Sequence, residues 1–185
     1  LEGKVTAGGT LGGLPVFPAS ISADLETPDK VTASLRQEFT SNTRLMATVE
    51  WTNWSKLGTI PVVGAPNPTE LLFEWEDGWY FALGGEYDYN DKLTLRAGGA
   101  YEISPIQKDT SRLVQLPDAD RIWASLGASY KVGNLFGMGD STIDFAYSHV
   151  FVENADFNRH PASSPVPVYT GSVDSAVDII SMGMT

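Results

Sequence analysis

Five ionic side chains stand out by type and position: Arg36, Glu50, Glu86, Arg96 and Arg121. A guanidinium presents donors in a fork that matches a carboxylate, so Arg36, Arg96 and Arg121 are candidates for holding the acid head of an amphiphile. The same charges can instead satisfy one another. Across a turn at 90–91, Glu86 falls near Lys92, Thr94 and Arg96. Leu113, Val114 and Leu116 form an apolar run suited to first capture of a greasy ligand, or to packing of the loop itself. Bond-breaking chemistry has little support. The two histidines, His149 and His160, lack metal-ligand spacing. Cysteine is absent, which excludes disulfides and thiolate metal sites. No nucleophile elbow, phosphate loop or paired-carboxylate pattern is present. The expectation is no enzyme, no cofactor and no metal centre. Glu70, Glu74, Glu76 and Asp77 either share divalent cations with lipopolysaccharide or are simply solvated.

The elements that must carry these residues have a period of two. In 79–101 the odd positions hold Trp79, Phe81, Leu83, Tyr87, Tyr89, Leu93, Leu95 and Tyr101, and the even positions hold Glu86, Asp88, Lys92, Thr94 and Arg96. Similar alternation marks strands at about 30–39, 44–54, 71–89, 92–103, 121–132, 142–152 and 176–184, with a strand stub at 1–5. From 121 to 132 the parity reverses: Ile122, Ala124, Leu126, Ala128 and Tyr130 oppose Arg121, Ser125, Ser129 and Lys131. Connections alternate in length, short at 40–43, 90–91 and 133–141, long at 8–20, 53–69, 104–120 and 154–173.

Strands of about ten residues are long enough to cross a bilayer when tilted. Short turns on one side and long loops on the other are the asymmetry of an outer-membrane barrel. Aromatic side chains end the apolar faces, as membrane girdles require: Trp51, Trp54, Trp75, Trp79, Tyr87, Tyr89, Tyr101 and Tyr130. No apolar run reaches 18 residues, which excludes a membrane helix and not a barrel. The net charge of -11 opposes nucleic-acid binding. The expected fold is therefore all-β, a transmembrane antiparallel up-and-down β-barrel with seven to eight strands here. A membrane barrel must close, so residues 1–185 read as the C-terminal part of one larger barrel domain. A soluble β-sandwich binding module is the alternative fold. A structural, adhesive or receptor barrel is the alternative function.

Several segments resemble one family: Ser20 to Asp29, the EWTNWS of Glu50 to Ser55, the LPDADRIW of Leu116 to Trp123 running on to Tyr130, and Val177 to Gly183. They are similar to the second half of the outer-membrane long-chain fatty-acid transporter (FadL-type) family, which includes aromatic-hydrocarbon uptake proteins. The resemblance implies a monomeric fourteen-stranded barrel plugged by an N-terminal hatch. It implies uptake of a hydrophobic small molecule or fatty acid, with lateral release into the outer membrane of a Gram-negative cell. Outer-membrane lipids and lipopolysaccharide would be its surroundings. The hatch and the gap in the wall would lie before Leu1.

Overall fold

The computed structural model describes residues 2–7, 10–11, 14–15, 21–63, 69–112, 116–134, 140–159 and 169–185. The strands are β1 (Glu2–Ala7), β2 (Thr10–Leu11), β3 (Leu14–Pro15), β4 (Ile21–Glu26), β5 (Lys30–Thr40), β6 (Thr43–Thr52), β7 (Thr59–Val62), β8 (Thr69–Leu72), β9 (Gly78–Asp88), β10 (Leu93–Ile103), β11 (Arg121–Asn134), β12 (Asp140–Arg159) and β13 (Tyr169–Met184). Seven of them form one sheet in the order β13-β12-β11-β10-β9-β6-β5, and β1–β4, β2–β3 and β7–β8 form two-stranded pairs. Every pairing in the seven-stranded sheet is antiparallel.

Turn chemistry explains the short connections. The Asn90 side-chain oxygen accepts the backbone N–H groups of Lys92 and Leu93, each at 2.9 Å, and Tyr89 N–H donates to the Leu93 carbonyl. An asparagine that binds its own backbone two and three residues on reverses the chain within the β9–β10 hairpin. Between β5 and β6, the Thr40 hydroxyl donates to the Asn42 side chain at 2.8 Å. Gly133, with φ of 71°, supplies the left-handed position where the β11–β12 register shifts.

Register puts whole rows of side chains on one face, because directly paired residues point the same way. One row runs Ala33–Val49–Phe81–Tyr101–Ile122–Phe151–Ala176. The neighbouring row on the opposite face runs Thr48–Ala82–Ala100–Trp123–Val150. The apolar face is the exposed one: Leu83 is 68% and Leu126 63% accessible. The polar face is drawn inward, with the Glu86 side chain only 13% accessible. No second sheet covers the apolar face among the described residues, so the sandwich arrangement is not adopted. Such a wide apolar surface belongs against hydrocarbon. No described helix is long and apolar enough to cross a membrane.

Several boundaries differ from the sequence expectation: the short strands β2 and β3 fall in the expected loop 8–20, β7 falls in the expected loop 53–69, and β4 precedes the first expected long strand. The segment 71–89 is two strands, broken at 73–77, where Glu74 adopts φ of 47°. Strands β12 and β13 reach 20 and 16 residues, so much of the expected loop 154–173 is strand. A register shift between Val152 and Ala155 resets the parity there, and polar side chains hide the alternation beyond it. The expected stub at 1–5 is β1, which pairs with β4 outside the main sheet.

Replacing Leu83 by arginine in mid-strand puts a charge in hydrocarbon and is expected to destabilise the protein by about 2–4 kcal/mol. Ser34→Arg, on the polar face, is expected to change stability by less than about 1 kcal/mol. Denaturant unfolding of both variants in lipid vesicles measures the difference.

Candidate functional site

The polar face has three zones along its strands. Near the short turns lies a charge network centred on Glu86. In register, Glu86 faces Arg44 of β6 and Arg96 of β10. Its carboxylate accepts from Arg96 Nε at 2.8 Å and Arg44 Nε at 3.4 Å, while Arg36 approaches to 3.7 Å. Arg44 also makes a two-pronged pair with Asp88, both bonds at 2.7 Å, and Thr94 donates to the same carboxylate. Arg96 continues to the Ser129 hydroxyl, which joins Asp144 of β12. These cations are largely committed to carboxylates. Arg36 is the loosest, with 55% of its side chain accessible.

At the long-loop end lies a second charged zone. Glu50 pairs with Lys30 at 2.6 Å and accepts from Thr32. Glu102 accepts from Arg121 and from the Trp123 indole, both at 3.2 Å, and Arg121 also meets Asp118. Arg121 is six residues from Gly127, the register partner of Arg96, roughly 20 Å along the strand. The three candidate arginines are therefore not one cluster: Arg36 and Arg96 share Glu86, and Arg121 stands apart.

Between the zones the wall across β6, β9, β10 and β11 is uncharged, with Arg36 of β5 at its border as the register partner of Met46. Met46 and Thr48 of β6, Tyr80, Ala82 and Gly84 of β9, Gly98 and Ala100 of β10, and Trp123 and Ser125 of β11 line a recess of about 240 Å³. Its floor is low because Gly84 and Gly98 are register partners. A Cβ on Gly98 would lie 3.1 Å from the Leu83 carbonyl oxygen and 3.3 Å from the Gly84 Cα, so a larger residue crowds the backbone. Sequence reasoning passed over this recess. Its signal was present as exceptions to the alternation: Met46, Tyr80 and Trp123 occupy polar-face positions beside glycine and alanine.

The aromatic candidates divide. Trp51 and Trp79 are cross-strand partners on the apolar face at the long-loop end, and Trp79 stacks on Phe81 at 5.9 Å. Tyr101, on that face, donates to Asp120 at 2.7 Å. Tyr87, Tyr89 and Tyr130 are exposed near the short turns. Trp54 and Trp75 lie outside the strands. Trp54 begins a short 3-10 turn, Trp54–Lys56, and packs edge-on against Trp75 at 5.4 Å, while Trp75 meets Phe73 at 5.2 Å. That aromatic cluster belongs to the long connection between β6 and β9.

Leu113, Val114 and His160 lie outside the described residues. Leu116 is exposed in the same long loop as Leu113 and Val114. The described part of that loop is anchored by the buried Arg112, which donates to the carbonyls of Ile106, Asp118 and Asp156. His149 faces outward on β12, bound to Asp178 of β13 at 2.7 Å, with Tyr147 donating to the same carboxylate. No group of three or more metal-ligating side chains occurs among the described residues.

The family described as outer membrane protein transport protein (OMPP1/FadL/TodX) matches residues 2–185. The chain belongs to this family. Within the OMPP1/FadL/TodX family it is 29% identical over 115 residues to the long-chain fatty acid transport protein of Escherichia coli K12, covering 60% of this chain and 24% of that protein. It is 31% identical over 138 residues to outer membrane protein P1 of Haemophilus influenzae, covering 73% and 28%. The crystal structure of a Pseudomonas aeruginosa FadL homologue superposes with a TM-score of 0.75 at 28% identity, over 90% of this chain and 37% of that one. The deltaS2 mutant of the TodX monoaromatic hydrocarbon channel shares the fold, with a TM-score of 0.57 at 20% identity, over 100% and 42%. The matched region is thus well under half the length of each relative. As in this family, the chain is an outer-membrane β-barrel protein of the Gram-negative type.

Two measurements follow from these polar contacts. Glu86 is the shared acceptor, so Glu86→Ala is expected to destabilise the fold by about 1.5–3 kcal/mol, and Arg36→Ala by less than about 1 kcal/mol, read by denaturant unfolding. At the long-loop end, outside the spanning strands, hydrogen bonds from Ser55 and then from the Trp51 indole hold the Asp77 carboxyl below its usual range. Its stabilising contribution is complete above the ordinary aspartate pKa of about 3.9 and is lost as pH falls through the depressed value. The fluorescence difference between wild type and Trp51→Phe should titrate with a midpoint below about 3.9, and Asp77→Asn should abolish that titration.

Proposed function

We propose that this protein moves apolar compounds, long-chain fatty acids or hydrocarbons, passively across the outer membrane. It is a transporter and not an enzyme, and it uses no nucleotide or redox cofactor. The observation that carries this reading is the uncharged recess on the inner wall, set between two charged zones whose members are largely paired with one another. Burial of apolar area, at about 25 cal/mol per Å², supplies the attraction. Release is sideways into the membrane, where the same apolar area stays buried. The likeness to a long-chain fatty acid transport protein supports the substrate range.

Residues 1–185 form part of one barrel domain. In hydrocarbon the free edges of β5 and β13 need partner strands, and the closed barrel works as a monomer. Trp51, Trp79, Tyr87, Tyr89, Tyr101 and Tyr130 form the girdles that meet lipid and lipopolysaccharide headgroups. Leu116, with Leu113 and Val114, offers first contact outside. A receptor or adhesive role is the second reading, favoured by the hydrogen-bonded loop around Arg112.

Uptake of labelled oleate and of labelled toluene by cells with and without the gene tests the proposal. Transport predicts faster entry of at least one compound when the protein is present. Equal entry of both compounds, with or without it, supports the receptor reading instead.

A further inference from the structure

We propose that His149, oriented by Asp178 and Tyr147, is a binding site on the lipid-facing wall for a phosphate group of lipid A, the membrane anchor of lipopolysaccharide. The site is separate from the inner recess and does not depend on the transport reading.

The pair is exceptional in its place. Over the outward positions of β5, β6, β9, β10 and β11, and of β12 and β13 as far as the register shift at Val152, His149 and Asp178 are the only acidic or basic side chains. Such groups are costly in hydrocarbon, so depth decides what they meet. Register links His149 to Leu83 through Gly99 and Ala124, but strands in a barrel are tilted, and a register row climbs from strand to strand. Leu83 lies five residues from Asp88, the short-turn end of β9, whereas His149 lies nine from Asp140, the short-turn end of β12. Trp79 is also nine residues from Asp88. The histidine therefore stands at the height of the tryptophan girdle of the long-loop end. On β13 the outward apolar side chains Met184, Met182 and Ile180 give way to Asp178 at that height. The long-loop end faces the outer leaflet, whose headgroups are those of lipopolysaccharide.

The bonding of the ring leaves one nitrogen for a ligand. Asp178 Oδ1 accepts from the Tyr147 hydroxyl and from His149 Nδ1, each at 2.7 Å. An ionised carboxylate can only accept, so Nδ1 carries a proton and Nε2 is the nitrogen left for a further partner. No bond to Nε2 occurs among the described residues. The Phe151 ring packs edge-on at 4.2 Å and helps hold the imidazole. On the flanking strand β11 the outward neighbours Ile122, Ala124 and Leu126 are apolar and offer no competing partner. A phosphate oxygen at Nε2 favours the doubly protonated ring, which then lies between two anions, Asp178 and the phosphate. The net charge of -11 repels phosphates in general, and His149 is the outward group of the sheet that can answer them with a positive charge. Asp178 and Tyr147 are positioning residues, which set the tautomer and the aim of the ring.

Native mass spectrometry of the intact barrel in detergent tests the site. The probes are diphosphoryl lipid A, the same lipid stripped of its phosphates, and phosphatidylglycerol. Wild type is expected to hold diphosphoryl lipid A at least about tenfold more tightly than the stripped lipid. His149→Gln should lose that preference, Asp178→Ala should weaken it, and His149→Arg should keep it. Heat-dependent gel mobility and circular dichroism establish folding, and the two strands supply independent variants should one fail to fold. A folded His149→Gln or Asp178→Ala that keeps the wild-type preference overturns the proposal. Phosphatidylglycerol bound as tightly as diphosphoryl lipid A overturns the assignment to lipid A. A wild-type dimer that separates in His149→Gln overturns it in favour of contact between two copies. None of these outcomes bears on uptake, which tests the transport reading separately.

Discussion

Hydrocarbon cannot hydrogen-bond a peptide group, and the rest of the structure follows from that constraint. Each crossing strand must give its N–H and C=O groups to neighbours. Each must also show lipid an apolar side chain at every second position. The seven antiparallel strands do both, apart from outward polar residues such as Gln37 and the bonded pair His149 and Asp178, and the alternate positions are then free to be polar. Those polar positions face inward, where charges need partners. Glu86, drawn on by Arg36, Arg44 and Arg96, is the clearest answer to that need.

The charge pairing has a functional corollary. A wall that carries formal charge but spends it internally presents few free ions to whatever passes. The space left for an apolar guest is where charge is absent, and that is the patch of glycine, alanine, Met46, Tyr80 and Trp123. On the transport reading proposed above, passage of greasy molecules is a matter of where the ionic rows stop. The rows bounding the recess decide what fits as much as the residues inside it.

Much of this was legible in the sequence because period two survives wherever one face meets lipid. The strands 30–39, 92–103 and 121–132, the parity reversal at Arg121 and the Glu86–Arg96 pairing all follow from that pattern. It failed where other physics took over. At 73–77 the left-handed Glu74 and the packing of Phe73, Trp75 and Trp54 end a strand that apolar content alone continues. Beyond Val152 a bulge shifts parity, and the polar residues of the long β12–β13 hairpin resemble a loop. Arg121 looked like a ligand for a carboxylate, but alternation says nothing of its nearest partners, Glu102 and Asp118. The recess was hidden for a different reason: its residues come from four strands, and only register brings them together.

The central claim is that lipid bathes the odd positions of β9 and that an enclosed polar interior faces the even ones. The chain has no cysteine, so single cysteines can be placed along 79–88, spin-labelled, and read in bilayers for collision with oxygen and with a water-soluble nickel chelate. The account predicts high oxygen and low nickel accessibility at 79, 81, 83, 85 and 87, alternating with low oxygen accessibility at the even positions. Uniform accessibility along the strand, or oxygen maxima at the even positions, would contradict it.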